Sequence, residues 1–243
     1  MFDAGEFGAA LFSEIVAKAR AAGYVFARFD RAPADGKVFF LRHDVDISAR
    51  NTLVLGRLAQ EQGIQSNFFF QLNAETYSIF SDEVIDIMQT LRAAGHCVGL
   101  HVDEVRFGDD EGKIRHTIDW FSSCVLPIDD VVSFHRPSPA VLGKRYASFL
   151  NAYDARFFGA DFYLSDSRRS LAFLPVLAEW LQTGRPCIQL LLHPEWWAGI
   201  NDDHALWTEL RDRRQYELEQ YLAINCRKVF GHVIGAQARD FRI

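Results

Sequence analysis

Short runs dense in β-branched and aromatic residues recur along the chain: KVFFLRH (37–43), SNFFFQL (66–72), CVGLHV (97–102), VVSFH (131–135), RFFGADFYL (156–164) and CIQLLLH (187–193). Most are nearly continuous in apolar residues, as parallel strands covered on both faces are. Between them lie stretches with apolar residues at helical spacing, such as SARNTLVLGRLAQEQGI (48–64) and SDEVIDIMQTLRAAGH (81–96). In the second, Ser81 is placed to cap the helix start and Gly95 to end it in a left-handed residue. Successive runs begin roughly 25–35 residues apart, the length of a βαβ unit. The tail ALWTELRDRRQYELEQYLAINCRKVF (205–230) reads as one long helix with mixed charges on a solvated face. No linker, low-complexity tract or repeat interrupts the pattern, so residues 1–243 read as a single β/α domain, either a barrel or a doubly wound sheet.

The polar positions that close these runs carry the chemistry. The first run ends in FLRHDVD (40–46), one Arg, one His and two Asp after an apolar stretch. Crowding such groups costs free energy unless they are paired or hold a metal. Side chains of an extended segment alternate, so Asp44 and Asp46 share one face while His43 and Val45 share the other. Two carboxylates on one face suit a divalent cation, or one ligand beside one general base; the plainer alternative is a turn in which an Asp or Ser48 caps the next helix. Later runs end in HVDE, HRPS, SDSR and HPEWW. In a parallel β/α fold these ends share one rim, where active sites are built. Helix capping does not account for five such packets converging there.

Composition narrows the function without naming it. Charged residues make up 24% and hydrophobic residues 49% of 243, an ordinary globular balance. The net charge of −6, with no basic stripe, speaks against nucleic acid as a partner. No apolar run is long enough to span a bilayer. The start, MFDAGEFGAALF, lacks the basic region of a secretory signal. Cys97, Cys124, Cys187 and Cys226 form no CxxC pair and read as reduced thiols of a cytoplasmic protein.

The packets, in their chain order, resemble the five motifs of the polysaccharide deacetylases, carbohydrate esterase family 4. RHDVD matches the Asp-bearing first motif, GHCVGLH (95–101) the second, HRPSP (135–139) the third, SDS (165–167) the fourth and LLLH (190–193) the last. The variant is similar to a divergent branch found among bacterial surface-polysaccharide gene products. The resemblance covers roughly residues 37–195 and implies a distorted (β/α) barrel, a divalent metal and removal of acetyl groups from N-acetylated sugars. Two departures stand out. The family's adjacent aspartates are here separated by Val45, and its second metal His falls on Val105.

Carried over residue by residue, the resemblance makes Asp44 the general base and gives the metal to Asp46 and His101. His135 is the first candidate for the missing ligand, ahead of Asp103 and Glu104. Zinc is the first choice of ion, with nickel, cobalt or iron as alternatives, since imidazole suits borderline cations. Arg136 is expected to pair with Asp44 and keep it ionised. His193 is the general acid, with Asp166 holding its imidazole charged. Trp196 and Trp197 are candidates to stack on a sugar face, and Arg168 and Arg169 to fork onto a carboxylate or phosphate, as a nucleotide- or lipid-linked sugar would supply. His43, on the opposite face, is expected to be structural or to support a site residue from behind. The expected enzyme is thus a metal-dependent carbohydrate N-deacetylase, a hydrolase of linear amides, acting on a sugar or activated sugar in lipopolysaccharide O-antigen biosynthesis. An inactive carbohydrate-binding relative and another metal-dependent C–N hydrolase are the alternatives.

Overall fold

The computed structural model describes residues 2–234. They fall into two compact units, one ending at Gly199 and the other beginning at Ile200. The first is built on eight strands: β1 (Tyr24–Phe26), β2 (Lys37–Val45), β3 (Asn67–Gln71), β4 (Cys97–Asp103), β5 (Val131–His135), β6 (Leu150–Asn151), β7 (Tyr163–Ser165) and β8 (Cys187–Leu192). Their order is β6-β5-β4-β3-β2-β8-β7, with β1 beside the first residues of β2, and every pair is parallel. Helix α1 (Ala9–Ala21) precedes them, and α2 (Thr52–Glu61), α3 (Asp82–Ala93), α4 (Glu104–Phe107), α5 (Glu111–Cys124) and α6 (Phe173–Thr183) lie between them in the chain.

The sheet curls into an open, distorted (β/α) barrel, the fold class expected from the sequence. Strands that are not neighbours meet across its interior. Gln189 on β8 donates from Nε2 to the carbonyls of Ala152, 2.9 Å, and Phe157, 2.8 Å, just beyond the far-edge strand β6. Alternation along each strand sorts the core into two layers. Phe39, Leu41, Val45, Phe68, Phe70, Leu100 and Leu190 face outward into the main core. Val38, Phe40, Phe69, Cys97 and Val131 face inward and fill the lower barrel with Phe29 and Phe157. Gly99 sits on the inner face, where a Cβ would meet the Val131 carbonyl oxygen at 2.1 Å, so only glycine lets β4 and β5 approach there.

The helix signals at 81–96 correspond to α3: the Ser81 side chain accepts from the Val84 amide, and Gly95 takes φ +88° one residue past the helix. The run 156–164 is a correction, since only its end joins the sheet, as β7. Asp154 closes a tight turn, accepting from the Phe157 and Phe158 amides at 2.8 and 2.9 Å, and the aromatic Phe157 plugs the barrel instead of extending a strand. The second unit holds α7 (Asp203–Asn225) and α8 (Arg227–Ile234) where one long helix was expected; the chain breaks at Cys226. Surface pairs such as Arg213 with Glu209 and Arg214 with Glu217 line α7, in keeping with a solvated face. All four cysteines are free thiols. Among the described residues no helix is long and apolar enough to cross a membrane.

His43 shows the cost of the outward face. It is fully buried and stacked on Phe68, ring centroids 4.4 Å apart. Burial, reinforced by His96, pushes its pKa down to about 3. The unfolded chain binds this proton below its ordinary value of 6.5 and the folded chain does not. Stability from this group is therefore full above pH 6.5 and declines as pH falls toward 3. His43→Phe is expected to flatten that decline in urea titrations run between pH 7 and 4. An unchanged slope would mean that the imidazole is charged in the fold.

Candidate active site

The inward face of the same strands rises from apolar to ionisable. Arg42, two residues below Asp44 on β2, is fully buried and forks onto it: Nε donates to Oδ1 at 2.9 Å and Nη2 to Oδ2 at 2.6 Å. Its Nη2 also donates to Ser133 Oγ, 2.6 Å, its Nη1 to Gln189 Oε1, 3.1 Å, and the guanidinium lies 4.2 Å from the Tyr153 ring centroid. Burial alone would raise the Asp44 pKa; the Arg42 charge outweighs it and holds the carboxyl below its usual range. Arg136, expected in this role, pairs instead with Asp103 on β4, leaving its side chain 59% exposed. The physical reason is parity. Arg42 shares the inner face and the depth of Asp44, whereas Arg136 lies beyond the end of β5 in left-handed backbone, φ 51°.

Above Asp44 the structure brings Asp46, His101 and His135 together. Asp46 Oδ1 lies 3.1 Å from His101 Nε2 and 3.2 Å from His135 Nδ1, and one donor atom from each residue falls within 4.8 Å of the others. His101 Nδ1 faces the Ser133 carbonyl at 3.3 Å, which turns Nε2 toward Asp46. Burial would raise the Asp46 pKa, but hydrogen bonds and charge from the two imidazoles carry it far below the carboxylate range. A carboxylate drawn between two imidazoles is a donor set that fits a borderline divalent cation and leaves coordination positions open. The other candidates are engaged elsewhere. Asp103 accepts from the Val105 amide, and Glu104 accepts from Ser138. Val105, where the family's second His would stand, is 76% exposed.

Across the opening His193 follows β8. Its Nδ1 meets Asp166 Oδ1 at 2.6 Å, and its Nε2 lies 3.7 Å from Asp46 Oδ2. Burial would lower its pKa, yet the hydrogen bond and charge of Asp166 raise it to about 9, so the ring carries a proton at neutral pH. Asp166 also accepts from Trp197 Nε1, 2.9 Å, and from the His193 amide. Trp197 is thereby a correction: only 1% exposed and packed edge-on to Phe7 and Phe12, it anchors Asp166 and presents no face to a sugar. Trp196 is half-buried against the core, its ring 6.4 Å from that of His193. Arg168 is exposed in the turn after Asp166. A cavity of about 350 Å³ opens over Asp44, Asp46, His101, His135 and His193, walled by Tyr153, Phe158 and Tyr163.

Two further residues at the site were given no role by the motifs, Glu195 within HPEWW and Gln71 at the end of β3. Glu195 is fully buried behind His193, and burial pushes its pKa up to about 8. Gln71, last residue of β3, donates from Nε2 to Asp46 Oδ1 at 2.8 Å and approaches His135 Nδ1 at 3.4 Å. It steers one carboxylate oxygen, and partners of this kind govern metal affinity by about 10–100-fold. Gln71→Leu is accordingly expected to weaken metal binding within that range in a chelator competition, with the fold intact; unchanged affinity would make Gln71 a packing residue.

No family profile matches the chain, and no curated protein matches it. Solved structures similar to it include the following three. One is the Bdellovibrio bacteriovorus peptidoglycan deacetylase Bd3279, with 18% identity and a TM-score of 0.44 over 79% of this chain and 53% of that one. The chain therefore spans about half the length of the Bdellovibrio protein. A second is the Streptococcus pyogenes deacetylase PplD in complex with acetate, with 12% identity and a TM-score of 0.38 over 77% of this chain and 84% of that one. A third is a Streptococcus mutans CE4 esterase, with 14% identity and a TM-score of 0.40 over 86% and 85%. These identities and TM-scores are low, and the chemistry of the site rests on its own geometry.

Proposed function

We propose that the chain is a metal-dependent N-deacetylase of an N-acetylated sugar. The observation that carries this reading is the convergence over one cavity of three groups: the Asp46, His101, His135 donor set, the ionised Asp44, and the Asp166-backed imidazole of His193. Amide hydrolysis needs an activated water, a polarised carbonyl and a proton for the leaving amine. A divalent cation held by Asp46, His101 and His135, with zinc the first choice and nickel, cobalt or iron the alternatives, supplies Lewis acidity toward the carbonyl and the water. Asp44 takes the proton of the attacking water; Arg42 and Ser133 occupy part of its accepting capacity, and each carboxylate oxygen has further lone-pair capacity. His193 gives its proton to the amine nitrogen as the C–N bond breaks, while Asp166 holds Nδ1–H and turns Nε2 toward the cavity.

The substrate in this reading is a sugar or activated sugar of surface-polysaccharide, lipopolysaccharide O-antigen, assembly, handled in the cytoplasm by one domain. The motif variant and the free thiols support that setting. The test is elemental analysis of the purified protein joined to acetate release from a panel of N-acetyl sugars, nucleotide sugars and oligosaccharides. About one divalent ion per chain is expected, lost in Asp46→Ala and in His101→Ala with the fold retained. Metal content unchanged in both variants would remove the metal centre. Bound metal with no acetate released from any substrate would favour the non-catalytic carbohydrate-binding reading.

A further inference from the structure

We infer that the rim formed by Arg136, Arg168 and Arg169 binds an anionic group of the substrate, a phosphate or a carboxylate, beside the sugar's acetamide. This rests on the reading of the cavity as a sugar deacetylase site. Among the described residues, three other than glycine have positive φ: Arg136 at 51°, Arg168 at 62° and Arg169 at 53°. All three are arginines. Left-handed backbone is costly for L residues, and arginine lacks the short polar side chain with which asparagine or aspartate offsets the cost. Such strain is retained where the surroundings hold it, and it collects at binding sites.

Arg136 itself lines the cavity, and Arg168 and Arg169 come directly after Ser167, which also lines it. Arg136 follows His135 at the end of β5. Just before Ser167 stands Asp166, which orients His193. Arg168 is exposed and makes no ion pair with any described carboxylate, and Arg136 is mostly exposed with Asp103 as its partner. On a chain of net charge −6 this grouping runs against the overall sign. The guanidinium fork matches the paired oxygens of phosphate and carboxylate alike. A glycosyl phosphate or diphosphate supplies the first and a uronic acid the second.

The test compares three probes of one ring size: N-acetylglucosamine 1-phosphate, N-acetylglucosaminuronic acid and neutral methyl N-acetylglucosaminide. In the metal-loaded wild type, kcat/KM for at least one anion is expected to exceed the neutral value by about tenfold or more, mainly through KM, since charge-assisted hydrogen bonds are worth that much. Whichever anion is preferred identifies the group. Arg168→Gly is expected to remove most of this preference without lowering Tm, because glycine adopts left-handed backbone freely. Arg168→Lys keeps the charge and loses the fork, and should fall between. Equal use of the neutral probe and both anions, or a preference unchanged in both variants, overturns the inference while leaving deacetylation standing. If no probe yields acetate, the deacetylase reading fails by itself. Calorimetry of the same probes then decides the rim: anion binding lost in Arg168→Gly supports it, and equal binding of the neutral sugar overturns it.

Discussion

Under the proposed mechanism, Asp44→Asn is expected to lose acetate release by about 10²–10⁴-fold, the usual worth of general acid–base assistance, with metal uptake retained. The side chain keeps its shape but no longer accepts the proton of the attacking water. Asp46, His101 and His135 are untouched, so the metal content stays near one per chain. The variant needs a stability control, because Arg42 then lies buried beside a neutral amide. His193→Gln provides an independent check from the opposite side of the bond. It removes the proton donor, leaves Asp166 its hydrogen bond from Trp197, and is expected to cost a similar factor with metal retained. Folded, metal-loaded Asp44→Asn with activity within a few-fold of wild type would remove Asp44 as base and leave the barrel and the metal centre in place.

How much of this was legible in the chain follows from side-chain parity. The alternation that puts Asp44 and Asp46 on one face also puts His43 and Val45 on the other, and the packing of His43 on Phe68 agrees with it. The same counting, extended one step down β2, points to Arg42. Extended to β3, β5 and β8, it points to Gln71, Ser133 and Gln189. Arg42 stands in the first packet itself, whereas Gln71, Ser133 and Gln189 sit in apolar runs, where one polar letter reads as an interruption. The pairing assigned to Arg136 came from motif order, which carries no information about which guanidinium reaches the depth of Asp44. Trp197 follows His193 and so reads as a sugar platform; its burial under Phe7 and Phe12 depends on α1 and the residues just before it, far away in sequence. The 156–164 run failed for a similar reason, since aromatic density marks a barrel plug as readily as a strand. His135 was reachable: it ends a strand adjacent to β4, and register pairs it with Asp103, two residues past His101.

Arg42→Met is expected to destabilise the fold by about 3–5 kcal/mol, the cost of leaving one member of a buried ion pair uncompensated. Arg42 is fully buried and Asp44 nearly so, and the guanidinium fills the space between Ser133, Gln189 and the Tyr153 ring. Methionine replaces most of the stem but none of the five donors. The carboxylate then faces burial without its counter-charge, so the Asp44 pKa rises and the group takes up a proton. That second consequence ties stability to chemistry. A protonated Asp44 is no base at neutral pH, so the activity of folded Arg42→Met should recover as pH is raised, which a merely loosened core would not do. The double variant Arg42→Met with Asp44→Asn removes both charges, and its loss of stability should fall short of the sum of the single losses by at least about 1 kcal/mol, as coupled neighbours do. Urea unfolding at pH 7 measures all three. A single-variant cost below about 1 kcal/mol, or strict additivity, would show that Arg42 fills space without holding Asp44, and the source of the depressed Asp44 pKa would have to be sought in His101, whose Nε2 lies 3.6 Å from Asp44 Oδ2.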